Sequence, residues 1–215
     1  MTIFSGRDLA CVRSEREVFL GLSFELAAGE ALTIVGPNGS GKSSLLRLLC
    51  GLLPPASGRI LWEGRPISED REAHRERLHY AGHAEALKPL LTVAENLCFA
   101  AALAGPIEAA AVTRALEAFG LARLADFPCL ILSAGQRRRV ALARLLIRRA
   151  PLWLLDEPVT GLDAASLVAL RNLIEDHRAG GGMVVMSTHV DLGLDGAKTL
   201  DVGDFSTLAR RRSAA

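Results

Sequence analysis

The chain predicts an α/β domain built around a parallel sheet and carrying a helical insertion, and three observations predict it. Leu152-Trp153-Leu154-Leu155 and Met183-Val184-Val185-Met186 are continuous apolar runs of strand length, and strands apolar on both faces belong in a parallel sheet covered by helices. Between them, Ala164 to Arg178 carries Leu167, Leu170, Leu173 and Ile174 at helical spacing, so strand, helix and strand form a βαβ unit. From about residue 92 to residue 150 the composition turns to helix-favouring Ala and Leu, which reads as a helical insertion in the α/β core.

Taken in order, Val18, Leu20, Leu22, Phe24 and Leu26 alternate with intervening polar positions and read as a half-buried strand. Ala28-Gly29-Glu30 turns the chain into a second strand, Ala31-Leu32-Thr33-Ile34-Val35. After a helix beginning near residue 42, Gly51 to Gly58 is dense in breakers, Arg59 to Trp62 is a short strand, and Glu63-Gly64 signals a hairpin. Residues 69 to 77 are charged and read as a surface helix, and Leu78-His79-Tyr80-Ala81-Gly82 as another short strand.

The 215 residues are 50% hydrophobic and 23% charged, enough to bury a core. With 25 Lys and Arg against 24 Asp and Glu, the formal charge is +1, so nothing global points to nucleic acid as a partner. No apolar run approaches the roughly 18 residues of a membrane helix, and the first eight residues lack the basic-then-apolar order of a signal peptide, which places the chain in the cytoplasm. Cys11, Cys50, Cys98 and Cys129 include no C-x-x-C pair, which argues against zinc and disulfides and reads as small buried thiols.

The chemistry centres on Gly36-Pro37-Asn38-Gly39-Ser40-Gly41-Lys42-Ser43-Ser44, where Gly36 to Ser43 match G-x-x-x-x-G-K-[ST] between a strand and a helix. Glycines let successive N–H groups turn inward on phosphate oxygens, and the helix that follows adds the positive end of its dipole. Lys42 is placed to reach the β and γ phosphates of ATP, and the Ser43 hydroxyl to ligate Mg²⁺. Asp156-Glu157 closes a buried strand, where Asp156 suits the Mg²⁺ shell and Glu157 suits activation of the attacking water; a plain helix-capping pair before Pro158 is the bland alternative. Leu132-Ser133-Ala134-Gly135-Gln136 opens an arginine-rich helix with Ser133 as N-cap, a second helix N-terminus presenting a hydroxyl and a glycine to an anion. By themselves Arg137, Arg138, Arg139, Arg144, Arg148 and Arg149 read equally well as a solvated face.

These segments, together with Thr160-Gly161-Leu162-Asp163 and Ser187-Thr188-His189, stand in the order and approximate spacing of an ABC transporter nucleotide-binding subunit, and the resemblance spans nearly the whole chain. It implies a RecA-like P-loop NTPase core, residues 1–82 and 151–215, with a helical subdomain inserted at about residues 83–150, all within a single ABC ATPase domain. It further implies a head-to-tail homodimer in which Ser133, Gly135 and Gln136 of one copy meet the γ phosphate held by the loop of the other. His189 is then a γ-phosphate and water-positioning residue beside Glu157, and Asp163 lies in the loop that signals across the dimer.

Two positions depart from the family pattern. His83 stands where most such subunits carry a glutamine that touches Mg²⁺, and imidazole prefers softer ions, so His83 reads as a sensing residue more than a metal ligand. The adenine-stacking aromatic is replaced near Arg13, whose guanidinium can stack on a base; Phe19, or no stacking, is the alternative. With Tyr80-Ala81-Gly82-His83 and Gly181-Gly182-Met183-Val184, the chain resembles the ATP-binding subunits of bacterial cytochrome c maturation systems. That resemblance implies an ATPase at the cytoplasmic face of the inner membrane, attached through permease subunits, whose hydrolysis drives haem delivery or release of a haem-loaded chaperone. A subunit exporting lipid or peptide, and a soluble ABC ATPase, are the alternatives; a small-molecule kinase leaves Leu132 to Gln136 unexplained. The Arg210-Arg211-Arg212 tail reads as a solvated end, with contact to anionic lipid the alternative.

Overall fold

The computed structural model describes residues 2–104 and 110–206, which leaves the arginine tail outside the described residues. Nine strands and six α-helices follow in the order β1 (Ile3–Arg13), β2 (Arg16–Ala27), β3 (Ala31–Val35), α1 (Lys42–Leu49), β4 (Ser57–Trp62), β5 (Arg65–Pro66), α2 (Arg71–Glu76) and β6 (Leu78–Ala81), among the described residues. Then come α3 (Val93–Ala104), α4 (Ala110–Ala118), α5 (Ala134–Ala143), β7 (Leu152–Asp156), α6 (Ala164–Ala179), β8 (Met183–Ser187) and β9 (Lys198–Asp201). Strands β6-β7-β8-β3-β9 form one sheet, parallel at every pairing, and β2-β1-β4-β5 form a second, antiparallel sheet.

The period of two along a strand divides each parallel strand between two cores. Leu152 and Leu154 of β7 and Met183 and Val185 of β8 face a core that also holds α1 and the antiparallel sheet, including Phe4, Leu22, Leu45 and Leu49. Trp153 and Leu155, with Val184 and Met186, face the other core, where Leu97 of α3, Ala115 of α4, Val140 of α5 and Ile174 of α6 pack. All ten positions of β7 and β8 are buried, as the apolar runs predict. Helix α1 therefore lies between two sheets, which fixes the loop that precedes it.

Three expectations are corrected. The opening residues hold two strands, not one, and β1 is the inner of the pair, flanked by β2 and β4. Along β2 the buried residues are Phe19, Leu22 and Leu26, whereas Leu20 is only half-buried. Gly21 sits at φ 67°, and the pairing slips between Leu9↔Leu22 and Cys11↔Phe19, so the strand changes face there. Cys98 is exposed on α3, whereas Cys11, Cys50 and Cys129 are buried thiols whose pKa burial raises. The Glu63-Gly64 hairpin is present, with both residues at positive φ, the twist that suits a two-residue turn. Among the described residues, no helix is long and apolar enough to cross a membrane.

The end of the sheet opposite the phosphate loop holds two neutral histidines. His79 Nε2 lies 3.0 Å from Arg148 O, and the His177 ring stacks on Trp153 at 3.8 Å between centroids. Burial lowers each pKa to about 4, against about 6.5 in an unfolded chain. Between those values the unfolded state binds more protons, so stability falls as pH drops from 6.5 towards 4 and is unaffected above that window, each histidine adding a slope of up to about 1.4 kcal/mol per pH unit. Urea midpoints at pH 7 and pH 5 check this: His177→Phe keeps a ring on Trp153, removes one titrating group, and should lose less stability on acidification than the parent chain.

Candidate active site

The candidate residues gather at the C-terminal ends of the parallel strands, the edge where open α/β sheets bind ligands. Strand β3 runs into the phosphate loop, β7 ends in Asp156, β8 ends in Ser187 and leads to His189, and β6 leads to His83. Register aligns these ends: Leu155 pairs with Met186 and with Ala81, and Asp156 with Ser187.

In the loop, Gly36, Gly39 and Gly41 all have positive φ. Gly41, at φ 106°, is the N-cap of α1 and offers no side chain to it, so the first-turn N–H groups of Lys42, Ser43 and Ser44 remain for a ligand. A Cβ on Gly41 would lie 2.5 Å from Val18 Cγ1, so the loop is pressed against β2. Lys42, 8% exposed, donates from Nζ to Gly36 O at 2.8 Å and to Pro37 O at 3.2 Å, which curls the ammonium back over Pro37-Asn38-Gly39. Ser40 Oγ is buried with no hydrogen-bond partner, an orphaned hydroxyl within the loop. This cradle fits a phosphate chain.

Asp156, 2% exposed, accepts on one oxygen, Oδ1, from Ser187 Oγ at 2.7 Å and from Ser43 Oγ at 3.1 Å. A hydroxyl and a carboxylate that meet from elements 113 residues apart supply the hard oxygen ligands Mg²⁺ takes. Neither bond involves His83, which is exposed beyond β6. Glu157 is a non-glycine residue at φ 48°, a conformation that costs on the order of 1 kcal/mol or more and is found at functional sites. Its N–H donates to Ser187 O at 3.1 Å and to Ser187 Oγ at 3.0 Å, and its Oε1 lies 3.2 Å from His189 Nε2. The structure thus brings Ser43, Asp156, Glu157 and His189 into one chain of contacts, linked by Ser187, which the sequence placed in Ser187-Thr188-His189 without giving it a role. Its partnership with Asp156 follows from the strand register, which pairs Asp156 with Ser187.

Ser133 caps α5 in a full capping box: Gln136 N–H donates to Ser133 Oγ at 3.2 Å, and Ser133 N–H donates to Gln136 Oε1 at 2.8 Å. Gly135 packs so closely that a Cβ would lie 2.6 Å from Gly161 O. Of the arginines beyond, Arg149 is exposed, but the others are not a solvated face. Arg138 is 5% exposed, Arg139 donates to Phe119 O, Arg144 to Ala86 O, and Arg148 to Glu76 O and Leu78 O; these long side chains satisfy carbonyls at the C-terminal ends of α2 and α4, at the start of β6 and in the loop beyond it. Asp163 caps α6, accepting from Ser166 N–H at 2.8 Å, and the Ser166 hydrogen bonds hold its carboxyl below the usual range. Arg13 ends β1 at the hairpin tip, where its positive charge acts to lower the pKa of the Cys11 thiol against the larger effect of burial.

A phosphate loop after β3, a carboxylate pair at the end of β7 and a capped helix on a parallel sheet define a nucleotide-hydrolysing P-loop domain. The family model described as ABC transporter matches residues 19–160, and the chain belongs to that family, in company with the cytochrome c biogenesis ATP-binding export proteins. It is similar to the cytochrome c biogenesis ATP-binding export protein CcmA of Rhodospirillum rubrum, 58% identical over 95% of this chain and 87% of that protein. The same-named protein of Paramagnetospirillum magneticum is 57% identical over 94% of this chain and 95% of its own length. A solved ATP-binding subunit of an ABC transporter superposes with a TM-score of 0.84 at 27% identity, covering 99% of this chain and 93% of that one. The chain is accordingly an ABC-type ATPase.

Proposed function

We propose that this ATPase is the hydrolytic subunit of a membrane complex for cytochrome c maturation, coupling ATP hydrolysis to haem delivery or to release of a haem-loaded chaperone. The observation that carries the chemistry is the contact chain from Ser43 through Asp156 and Ser187 to Glu157 and His189; the biological setting rests on relatives named for cytochrome c biogenesis at 57–58% identity. Gly36, Pro37, Asn38, Gly39, Ser40, Gly41, Lys42, Ser43 and Ser44 wrap the phosphates, and Arg13 stacks on the base. Ser43 and Asp156 would hold Mg²⁺, which would supply neutralising charge to the phosphate chain. Glu157 accepts a proton from the attacking water, and His189, 3.2 Å away, orients that water against the γ phosphate.

One loop leaves the γ end of its phosphate chain open to water, so we infer a head-to-tail homodimer in which Ser133, Gly135 and Gln136 of the second copy close the site. Ser133 and Ala134 are exposed at the start of α5, as that role requires. The domain divides in this reading into an α/β core, 1–82 and 151–215, and a helical subdomain at about 83–150, with His83 sensing the partner at the join. The permease docks on the subdomain, and an exposed apolar patch supports this. Leu90 is 82% exposed beside Leu130 at 63% and Ile131 at 65%, and the two segments are stitched together by Leu130 N–H donating to Pro89 O. The subunit is then held at the cytoplasmic face of the inner membrane through its partners. A strain lacking the chain should make no holo-cytochrome c, restored by the parent gene; c-type cytochromes at normal levels in that strain would overturn the assignment.

A further inference from the structure

We propose that Arg138 is a positioning residue that ties the start of α5 to the catalytic carboxylate of its own chain, so that closure of α5 on the partner copy's nucleotide sets the geometry of Glu157. This inference rests on the dimer reading above and adds to it a named mechanical link.

Arg138 stands in the second turn of α5, five residues beyond the Ser133 cap, and is 5% exposed. Its guanidinium makes four hydrogen bonds to backbone carbonyls. Nε donates to Pro158 O at 3.3 Å, Nη1 to Gly82 O at 3.0 Å, and Nη2 to Asp156 O and Glu157 O at 2.8 Å each. These carbonyls come from the ends of β7 and its neighbour β6, and they frame the two residues on which the chemistry depends. Burying a cation is costly unless it is well hydrogen-bonded, and four of the five guanidinium N–H groups are used here. Here the planar fork of guanidinium spans two strand ends, which a lysine ammonium cannot do.

Two further contacts make the link rigid. Gly135, one turn before Arg138, packs against Gly161 O so closely that a side chain is excluded, so α5 touches the 156–161 segment at both of its first turns. Glu157 itself is held at φ 48°, a conformation that relaxes unless its neighbours over-determine it. Arg138 grips the carbonyl on each side of that residue's α-carbon, and Ser187 grips its N–H. A displacement of α5 is therefore passed to the Glu157 backbone, and to Gly82 beside His83, through one side chain.

The test uses the purified full chain with Mg²⁺–ATP. Arg138→Lys keeps the buried charge and loses the fork; Arg138→Gln loses both. In Arg138→Lys, kcat should fall about 100-fold while the equilibrium affinity for ATP stays within about threefold, because the phosphate loop is untouched and only alignment is lost. The Hill coefficient for ATP should drop from near the two-site limit of about 2 towards 1. Arg138→Gln should lose more turnover than Arg138→Lys, with the same retained ATP affinity in the folded fraction measured by circular dichroism. Arg138→Lys protein that is folded and keeps both parent turnover and parent cooperativity overturns the assignment, as does a loss of turnover matched by an equal loss of ATP affinity. A parent chain that binds ATP yet never dimerises or turns it over overturns the dimer reading itself, an outcome distinct from the other two.

Discussion

Lys42→Ala should abolish ATP turnover, lowering kcat by about 10³-fold or more, with little change in the stability of the chain. The ammonium is buried at 8% exposure and stays within 3.2 Å of two carbonyls of the very loop it belongs to, so it is stored where the β and γ phosphates are to sit. A phosphate chain carries far more negative charge than two carbonyl dipoles, so Nζ trades those bonds for phosphate oxygens when the nucleotide arrives. The loss falls hardest on the transition state, where charge on the transferring group is greatest and where Ser40 and the α1 N–H groups alone cannot replace a full positive charge. Fold stability is spared because Gly36 O and Pro37 O lie in a loop where water can reach Pro37. Thermal unfolding and steady-state turnover on the same preparation check it; a folded Lys42→Ala chain with parent turnover would remove Lys42 from the chemistry.

The parts of the fold that could be read directly are those where burial alone dictates the pattern. Strands β7 and β8 are covered on both faces, so every position is apolar up to Asp156 and Ser187, and the short length of these unbroken runs favours strands over helices. Strand β1 escaped because Ser5-Gly6-Arg7-Asp8 interrupts its apolar positions. Asp8 lies at φ 50° in an irregular stretch of the pairing, so neither a period of two nor one of 3.6 persists through it. The same cause put Leu20 on the wrong face of β2: a glycine at positive φ shifts the phase, and only the register with β1 reveals it.

The site divides in the same way. The phosphate loop is local in sequence, and its glycines, lysine and serine declare their geometry in nine consecutive residues. Ser187 and Arg138 act across gaps of 31 residues to Asp156 and 56 residues to Gly82, so their partners could not be named from spacing. A serine before Thr188-His189 and an arginine inside an arginine run carry no pattern of their own. What distinguishes them is that one closes a strand beside Asp156, and the other faces inward on a helix whose remaining arginines reach outward to other carbonyls.

Glu157→Gln should leave ATP binding intact, slow hydrolysis by about 10²–10⁴-fold, and so convert a transient ATP-bound dimer into one that accumulates. The amide is close in shape to the carboxylate and can still accept from His189 Nε2 through its oxygen, and the Arg138 and Ser187 bonds reach only the backbone of residue 157. The loop, Lys42, Ser43 and Asp156 are untouched, so the nucleotide is held as before; what is lost is the basic oxygen that takes the proton of the attacking water. In a dimer closed by Ser133 and Gly135 around a γ phosphate, removal of that phosphate is the event that opens the interface, and a chain that cannot remove it stays closed. Binding to the assembled form alone then shifts the monomer–dimer equilibrium by mass action. On a sizing column with Mg²⁺–ATP, Glu157→Gln should elute as a dimer and, with ADP, as a monomer, whereas the parent chain should run mainly as a monomer in both. A Glu157→Gln chain that binds ATP tightly and remains monomeric at concentrations well above its affinity for nucleotide would mean that Ser133 and Gly135 do not complete the partner's site.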